Sequence, residues 1–150
     1  MTGSPPADEN LLREQRFSSA LQQLIGYRLV EWAPDYAVFE YEVAPAHLNR
    51  TNRLHGGILA VLCDTAAGYA GCYCDTPGEA RSSVTLSLTL NFLASISRGR
   101  IRAEGRKTGG GRSIFFASAE VRDADGRLMA TASGSFRYVS DAPVNMPPRG

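Results

Sequence analysis

Long uncharged apolar runs are missing from this 150-residue sequence. The longest, Gly56 to Cys74, is broken by Asp64, and a membrane span needs roughly 18 such residues. The opening MTGSPPADEN is polar and acidic and has no apolar secretory segment. Cysteine is scarce. Cys63, Cys72 and Cys74 are an odd number, two of them one residue apart, and make a poor disulfide framework. These absences lead to the expectation of a cytoplasmic protein with no membrane partner. Excess charge of one sign is also missing. Sixteen Lys+Arg against 15 Asp+Glu leave +1, which argues against nucleic acid as a partner. Two His and three Cys have no closed zinc spacing, so no metal is expected. The run TGGGRS at 108–113 does not fit a P-loop. Lysine is nearly absent, Lys107 being the only one. Arginine can serve bidentate phosphate or carboxylate binding, and genomic codon usage produces the same bias.

What is present suits one folded domain. Hydrophobic residues make up 43%, and a chain this long buries roughly 70% of its unfolded surface. Residues 1–8 read as a disordered leader, 9–139 as a single domain, and 140–150 as a flexible tail. Residues 9–24 carry Leu12, Phe17 and Leu21 at helical spacing, which predicts one short N-terminal helix ended by Gly26. Tyr27–Trp32 and Tyr36–Val43 read as strands joined at Pro34-Asp35, the second placing Ala37, Phe39, Tyr41 and Val43 on one face. Ile58–Cys72 reads as a helix apolar on all sides except at Asp64 and Thr65, and hence buried all round. After a turn at Thr76–Ala80 come four strands: 84–92, 99–107, 112–122 and 127–139, with a glycine turn at 108–111 and a hairpin at Asp125-Gly126. In the first of these, Val84, Leu86, Leu88, Leu90 and Phe92 alternate with Thr85, Ser87, Thr89 and Asn91. No strand–helix alternation appears, so the fold class is α+β, an antiparallel sheet wrapped around one central helix.

Asp64 is the sharpest chemical feature. A carboxylate in an apolar helix is costly to bury unless paired. Burial favours its protonated form and suits a general base or nucleophile at a water-poor site. The other reading is a carboxylate satisfied by hydroxyls of Thr65 or of the next strand, where Thr85 is a candidate. His55-Gly56-Gly57 opens the same helix. Two glycines leave backbone N–H groups uncovered at the positive helix end, which suits polarising a carbonyl, although a sharp loop-to-helix turn explains them equally. Gly57 and Asp64 lie about 10 Å apart along one helix, too far to share one reacting atom. This predicts a composite site at a two-fold dimer interface, with Asp64 of one chain opposite Gly56 and Gly57 of the other. Asn49 is either a holder of water or substrate oxygen or an ordinary turn residue. Arg98, Arg100, Arg102, Arg106, Lys107 and Arg112 crowd together, either for ligand phosphates or as a charged, solvated edge.

The stretch Asn49 to Asp64, NRTNRLHGGILAVLCD, resembles the signature of hotdog-fold acyl-CoA thioesterases of the phenylacetate-degradation (PaaI) type. VTLSLTLNFL at 84–93 and AEVRDADGRLMA at 119–130 resemble that family's following strand and closing hairpin. The resemblance implies a hotdog fold and a homodimer, often a dimer of dimers. It implies hydrolysis of an aryl or short- to medium-chain acyl-CoA without a cofactor, since coenzyme A belongs to the substrate. By the same resemblance, the Gly56 N–H polarises the thioester while His55 and Asn49 orient thioester or water. Asp64 of the partner chain acts as base or nucleophile. Thr85, or Ser83 if the register slips, supports it. Arg106, Lys107 and Arg112 contact the CoA phosphates. The competing functions are an enoyl-thioester hydratase or dehydratase on this fold, and a non-catalytic acyl-CoA binding module.

Overall fold

A computed structural model describes residues 8–74, 76 and 81–139. The expected leader, apart from its last residue, the tail at 140–150 and most of the turn at 76–80 lie outside the described residues. Two short helices, α1 (Glu9–Gln15) and α2 (Ala20–Ile25), precede strands β1 (Arg28–Ala33) and β2 (Tyr36–Glu42). A short 3-10 turn, Pro45–His47, leads into the long helix α3 (Gly56–Ala70). Strands β3 (Ser82–Phe92), β4 (Arg100–Gly110), β5 (Ile114–Asp123) and β6 (Leu128–Val139) follow. All six strands join one antiparallel sheet in the order β1-β2-β4-β5-β6-β3. This is the α+β hotdog arrangement, with α3 lying against the concave face of the sheet.

Small residues explain how the sheet closes on the helix. Ala37, Ala103, Ala117 and Ala119 form the buried centre of the sheet face, and Ala66, Ala67 and Ala70 answer from α3. At Gly105 the approach is closest: a Cβ there would stand 2.1 Å from the Ala66 carbonyl oxygen. Larger side chains flank this seam, among them Phe39, Tyr41, Phe115 and Phe136, each at most 1% exposed. Phe115 and Phe136 stack with ring centroids 5.0 Å apart.

Several sequence expectations are corrected. The N-terminal helix is two helices, because Ser19 and Gln22 form a capping box that starts a new helix. Gly26, at φ 92°, ends α2 as expected. Helix α3 begins at Gly56, two residues before Ile58, capped by the His55 side chain. Strand β4 runs through Gly110 and absorbs most of the expected turn. Helix α3 is not buried all round. Leu59, Leu62, Cys63, Ala66, Ala67 and Ala70 are buried, whereas Ile58, Val61, Asp64, Thr65 and Gly68 are only half-buried. Among the described residues the sheet covers one side of the helix and leaves its other apolar side only half-covered.

One irregularity decides which side chains meet α3. The β3–β6 register pairs Thr85 with Phe136, then slips by one residue before Ser87. Past the slip, Leu90 faces Ala132 and Phe92 faces Ala130. Phe136, Ala132 and Ala130 are all buried under the helix. Thr85, Leu90 and Phe92 therefore share the helix-facing side although their numbers differ in parity, which only a bulge permits. Simple alternation would put Thr85 on the opposite face from Leu90.

Candidate active site

The bulge delivers Thr85 to Asp64. Its hydroxyl donates to Asp64 Oδ1 at 2.6 Å, a short hydrogen bond of the kind a carboxylate accepts. Asp64 is half-buried and lies on the open side of α3. Thr65, the alternative partner, makes no hydrogen bond to Asp64 among the described residues and lowers the pKa of the Tyr27 hydroxyl instead. Both Asp64 and Thr85 line a cavity of about 370 Å³ between α1, α2, the C-terminal half of α3 and the start of β3. Its aromatic walls are Tyr27, Trp32, Tyr69 and Phe136. Polar groups share the lining. The Tyr69 hydroxyl donates to Glu14 at 2.7 Å, and Cys72 Sγ donates to Ser83 Oγ at 3.5 Å. Burial pushes the Tyr27 hydroxyl above its ordinary range, partly offset by hydrogen bonds with Thr65 and Ser19. It also raises the Cys72 thiol, with Ser83 opposing, and pushes Cys63 up to about 12, the charge of Asp64 adding to the effect.

The other half of the expected machinery lies at the start of α3. His55 Nδ1 accepts the Gly57 N–H at 2.8 Å, so that donor is already used. The Ile58 N–H returns to the His55 carbonyl at 3.0 Å. The Gly56 N–H has no acceptor among the described residues. It is a free backbone donor at the positive end of the helix. Phe92 lies beside it, its ring 3.4 Å from where a Gly56 Cβ would be. Gly56 and Asp64 sit on one helix, eight residues apart, about 12 Å by helical rise.

Asn49 lies in the loop before α3 and holds that loop together. Its Oδ1 accepts from Thr51 N at 2.9 Å, Thr51 Oγ1 at 2.8 Å and Arg53 N at 3.1 Å. Only its Nδ2 is left to face a ligand. Ser83 sits two residues before Thr85, lines the same cavity, and accepts from Cys72 instead of holding Asp64. His47, His55 and Cys63 do not converge as a metal site: His47 meets Tyr41, His55 meets Gly57, and Cys63 is buried in the core.

The expected phosphate contacts are unequally placed. Arg106 donates twice to Glu104, at 2.6 and 3.0 Å, and its guanidinium lies 4.7 Å over the Tyr36 ring. Lys107 lies 4.0 Å from Asp35 and is 25% exposed. Arg112 is exposed and has no carboxylate partner among the described residues. Much of the basic run is neutralised, Arg100 pairing with Glu40 and Glu42 and Arg102 with Glu31 and Glu40. Sequence reasoning passed over Arg50 and Arg53, which are exposed, have no carboxylate partner among the described residues, and are carried on the Asn49 loop. Their position, six and three residues before Gly56, was the available signal.

No described helix is long and apolar enough to cross a membrane. Residues 51–130 match the thioesterase superfamily. A Saccharolobus solfataricus protein provisionally named an esterase is 30% identical over 125 residues, covering 82% of this chain and 87% of that one. The structure of a conserved protein from Pseudomonas aeruginosa is similar at a TM-score of 0.73 and 30% identity, covering 89% of this chain and all of that one. A variant of the phenylacetic acid degradation protein PaaI from Thermus thermophilus is similar at a TM-score of 0.68 and 27% identity, covering 79% and 98%. Its likeness agrees with the PaaI-type resemblance of Asn49 to Asp64. On the hotdog fold and these matches together, the chain is a hydrolase and belongs to the thioesterase superfamily.

Proposed function

We propose that this protein hydrolyses an acyl-CoA thioester to the free acid and CoA, at a site shared by two chains of a homodimer. The observation that carries the reading is Asp64, held by Thr85 at 2.6 Å at the wall of the 370 Å³ cavity. The thioester carbonyl takes the free Gly56 N–H of one chain, which stabilises the oxyanion as it forms. Asp64 of the other chain attacks the carbonyl carbon, or takes a proton from the attacking water. The CoA thiolate leaves. His55 holds the start of the helix in place through Gly57, and Asn49 Nδ2 is free to orient the thioester or water. No cofactor takes part.

The sheet edge supports the dimer. Strand β3 is an outer strand of eleven residues with one row of backbone groups unpaired among the described residues. It exposes Val84 (44%) and Leu86 (51%). A long apolar edge of this kind calls for a covering strand, and a second β3 related by a two-fold axis supplies one. That pairing also covers the open side of α3 and brings a second Asp64 toward Gly56. A dimer of dimers buries further sheet surface around Ile114 and Phe116, which are 39% and 51% exposed.

The acyl group enters the cavity beside Asp64. Its aromatic walls and polar far end suit an aryl or short- to medium-chain acyl group better than a long alkyl chain. Arg112 is the expected phosphate contact with its charge still free, and Arg106 and Lys107 contribute only by giving up their carboxylate partners. A thiol-release assay across phenylacetyl-, benzoyl-, hexanoyl- and palmitoyl-CoA tests the reading. Turnover of the smaller acyl groups, abolished by Asp64→Ala in an intact dimer, is expected. Asp64→Ala with wild-type kcat refutes the mechanism, and enoyl-CoA hydration without thiol release replaces it with a hydratase.

A further inference from the structure

The free Gly56 N–H is useful only if its direction is fixed. That amide belongs to the His55–Gly56 peptide, so whatever holds His55 aims it. Among the described residues, His55 is held by three bonds. Its ring accepts from Gly57 N, and its carbonyl accepts from Ile58 N. Its own N–H donates to the His47 carbonyl at 3.0 Å. The first two are internal to the helix start. The third ties it to the 3-10 turn, beside the Leu54 N–H, which donates to the Ile96 carbonyl at 2.8 Å.

His47 ends the 3-10 turn and is itself anchored. Its Nδ1 lies 2.6 Å from the hydroxyl of Tyr41, a β2 residue only 1% exposed in the core. The Ala44 N–H donates to the same hydroxyl at 3.2 Å. The hydroxyl can donate to His47 Nδ1 when that ring nitrogen carries no proton. Burial raises the Tyr41 hydroxyl above its ordinary range, so it remains a donor at neutral pH. The rings lie 5.8 Å apart at 31°, which further limits the freedom of the imidazole. A Leu48–Leu54 bridge closes the loop beside them.

We propose that Tyr41 and His47 are positioning residues for the oxyanion donor: the chain Tyr41 hydroxyl, His47 and His55 N–H fixes the Gly56 amide to the sheet. The inference rests on the hydrolase reading above. Neither residue touches the substrate in this scheme. Each acts through His55 on the direction of one N–H, an interaction realised in the transition state. Their loss therefore lowers kcat and leaves KM in place.

The test is a set of four variants of the full-length protein: Tyr41→Phe, His47→Ala, the double variant, and His47→Asn, whose Oδ1 can accept where Nδ1 did. Steady-state turnover of the acyl-CoA the wild type prefers is measured beside the melting temperature, the oligomeric state and the ¹H–¹⁵N resonance of Gly56. Tyr41→Phe and His47→Ala are each expected to lower kcat about tenfold, the scale of one lost hydrogen bond, with KM within about twofold. The double variant matches the singles rather than multiplying them, because both break one chain. His47→Asn recovers most of the rate, and the Gly56 amide shifts in the first three variants only. Wild-type kcat in Tyr41→Phe, multiplying effects in the double variant, or a Gly56 resonance that stays in place each overturns the proposal. A wild type that turns over no acyl-CoA refutes the hydrolase reading instead, and the Gly56 resonance still reports whether the chain holds that amide.

Discussion

Replacing Gly105 by alanine tests the close seating of α3 on the sheet. The new Cβ would stand 2.1 Å from the Ala66 oxygen, 2.3 Å from its carbonyl carbon and 2.8 Å from Ala67 N. All three are backbone atoms, so no rotamer change relieves the clash. Ordinary contact begins at 3.4 Å, and strand and helix must separate by more than an ångström. Overpacking of a well-filled core costs about 1–3 kcal/mol, and a clash against backbone belongs at the upper end. For a chain of this size, about 3 kcal/mol lowers the melting temperature by about 6–12 °C. Activity falls as well, because the displaced helix carries both Gly56 and Asp64. Differential scanning calorimetry and the thiol-release assay measure the two effects. Gly109→Ala is the control, since a Cβ there meets nothing within 4 Å. A Gly105→Ala protein melting within 2 °C of wild type, with unchanged kcat, refutes the reasoning about the helix seat.

Thr85→Val keeps the shape and removes the donor to Asp64. A hydrogen bond to a charged group contributes about 1.5–3 kcal/mol, so kcat is expected to fall about 10- to 100-fold at constant KM. A wild-type rate shows that Asp64 needs no such holding. Arg112→Ala is expected to raise KM for the acyl-CoA and weaken its salt dependence, while Arg106→Ala changes KM less than twofold because Glu104 already occupies that guanidinium. Equal effects contradict the ion-pair assignment. Cys63 is pushed up to about 12 in the folded chain from an ordinary value of 9.0. The folded value is the higher one, so this contribution to stability is complete below pH 9 and is lost as pH rises towards 12. Urea titrations at pH 8 and 10.5 should show stability falling, with a shallower fall in Cys63→Ala. A steeper or equal fall in that variant contradicts it.

The central helix and the strands were legible because they depend on local pattern. Apolar density marks α3, and alternation marks β2 with Ala37, Phe39 and Tyr41 facing inward. The break between α1 and α2 was also written in the sequence, as Ser19-x-x-Gln22, but the spacing of Leu12, Phe17 and Leu21 across it reads as one helix. Thr85 was found as a partner for Asp64 while its face was misjudged. A bulge adds one residue, and nothing in Val84 to Ser87 marks where the register slips. The neutralised arginines were illegible for another reason. Glu40 lies about sixty residues from Arg100 and Arg102, and only the β2–β4 pairing brings them together. The half-open α3 follows from the same limit: an all-apolar helix demands cover, and the sequence does not say whether its own chain or a second copy provides it.

Two inactive variants mixed together give the most direct test of the shared site. Asp64→Ala removes the carboxylate. Gly56→Pro removes the oxyanion donor at the first helical position, where proline is accepted and where His55, at ψ 134°, already has the extended backbone that precedes one. Each variant alone is expected to lose at least about a hundredfold in kcat. Unfolding the two together and refolding them as a mixture forms heterodimers in which one composite site regains both Gly56 and Asp64. Random pairing makes half the dimers mixed with one of two sites intact, so about a quarter of wild-type activity should return. A mixture no more active than its components, with mixed dimers verified by native mass spectrometry, contradicts the claim that two chains share the site.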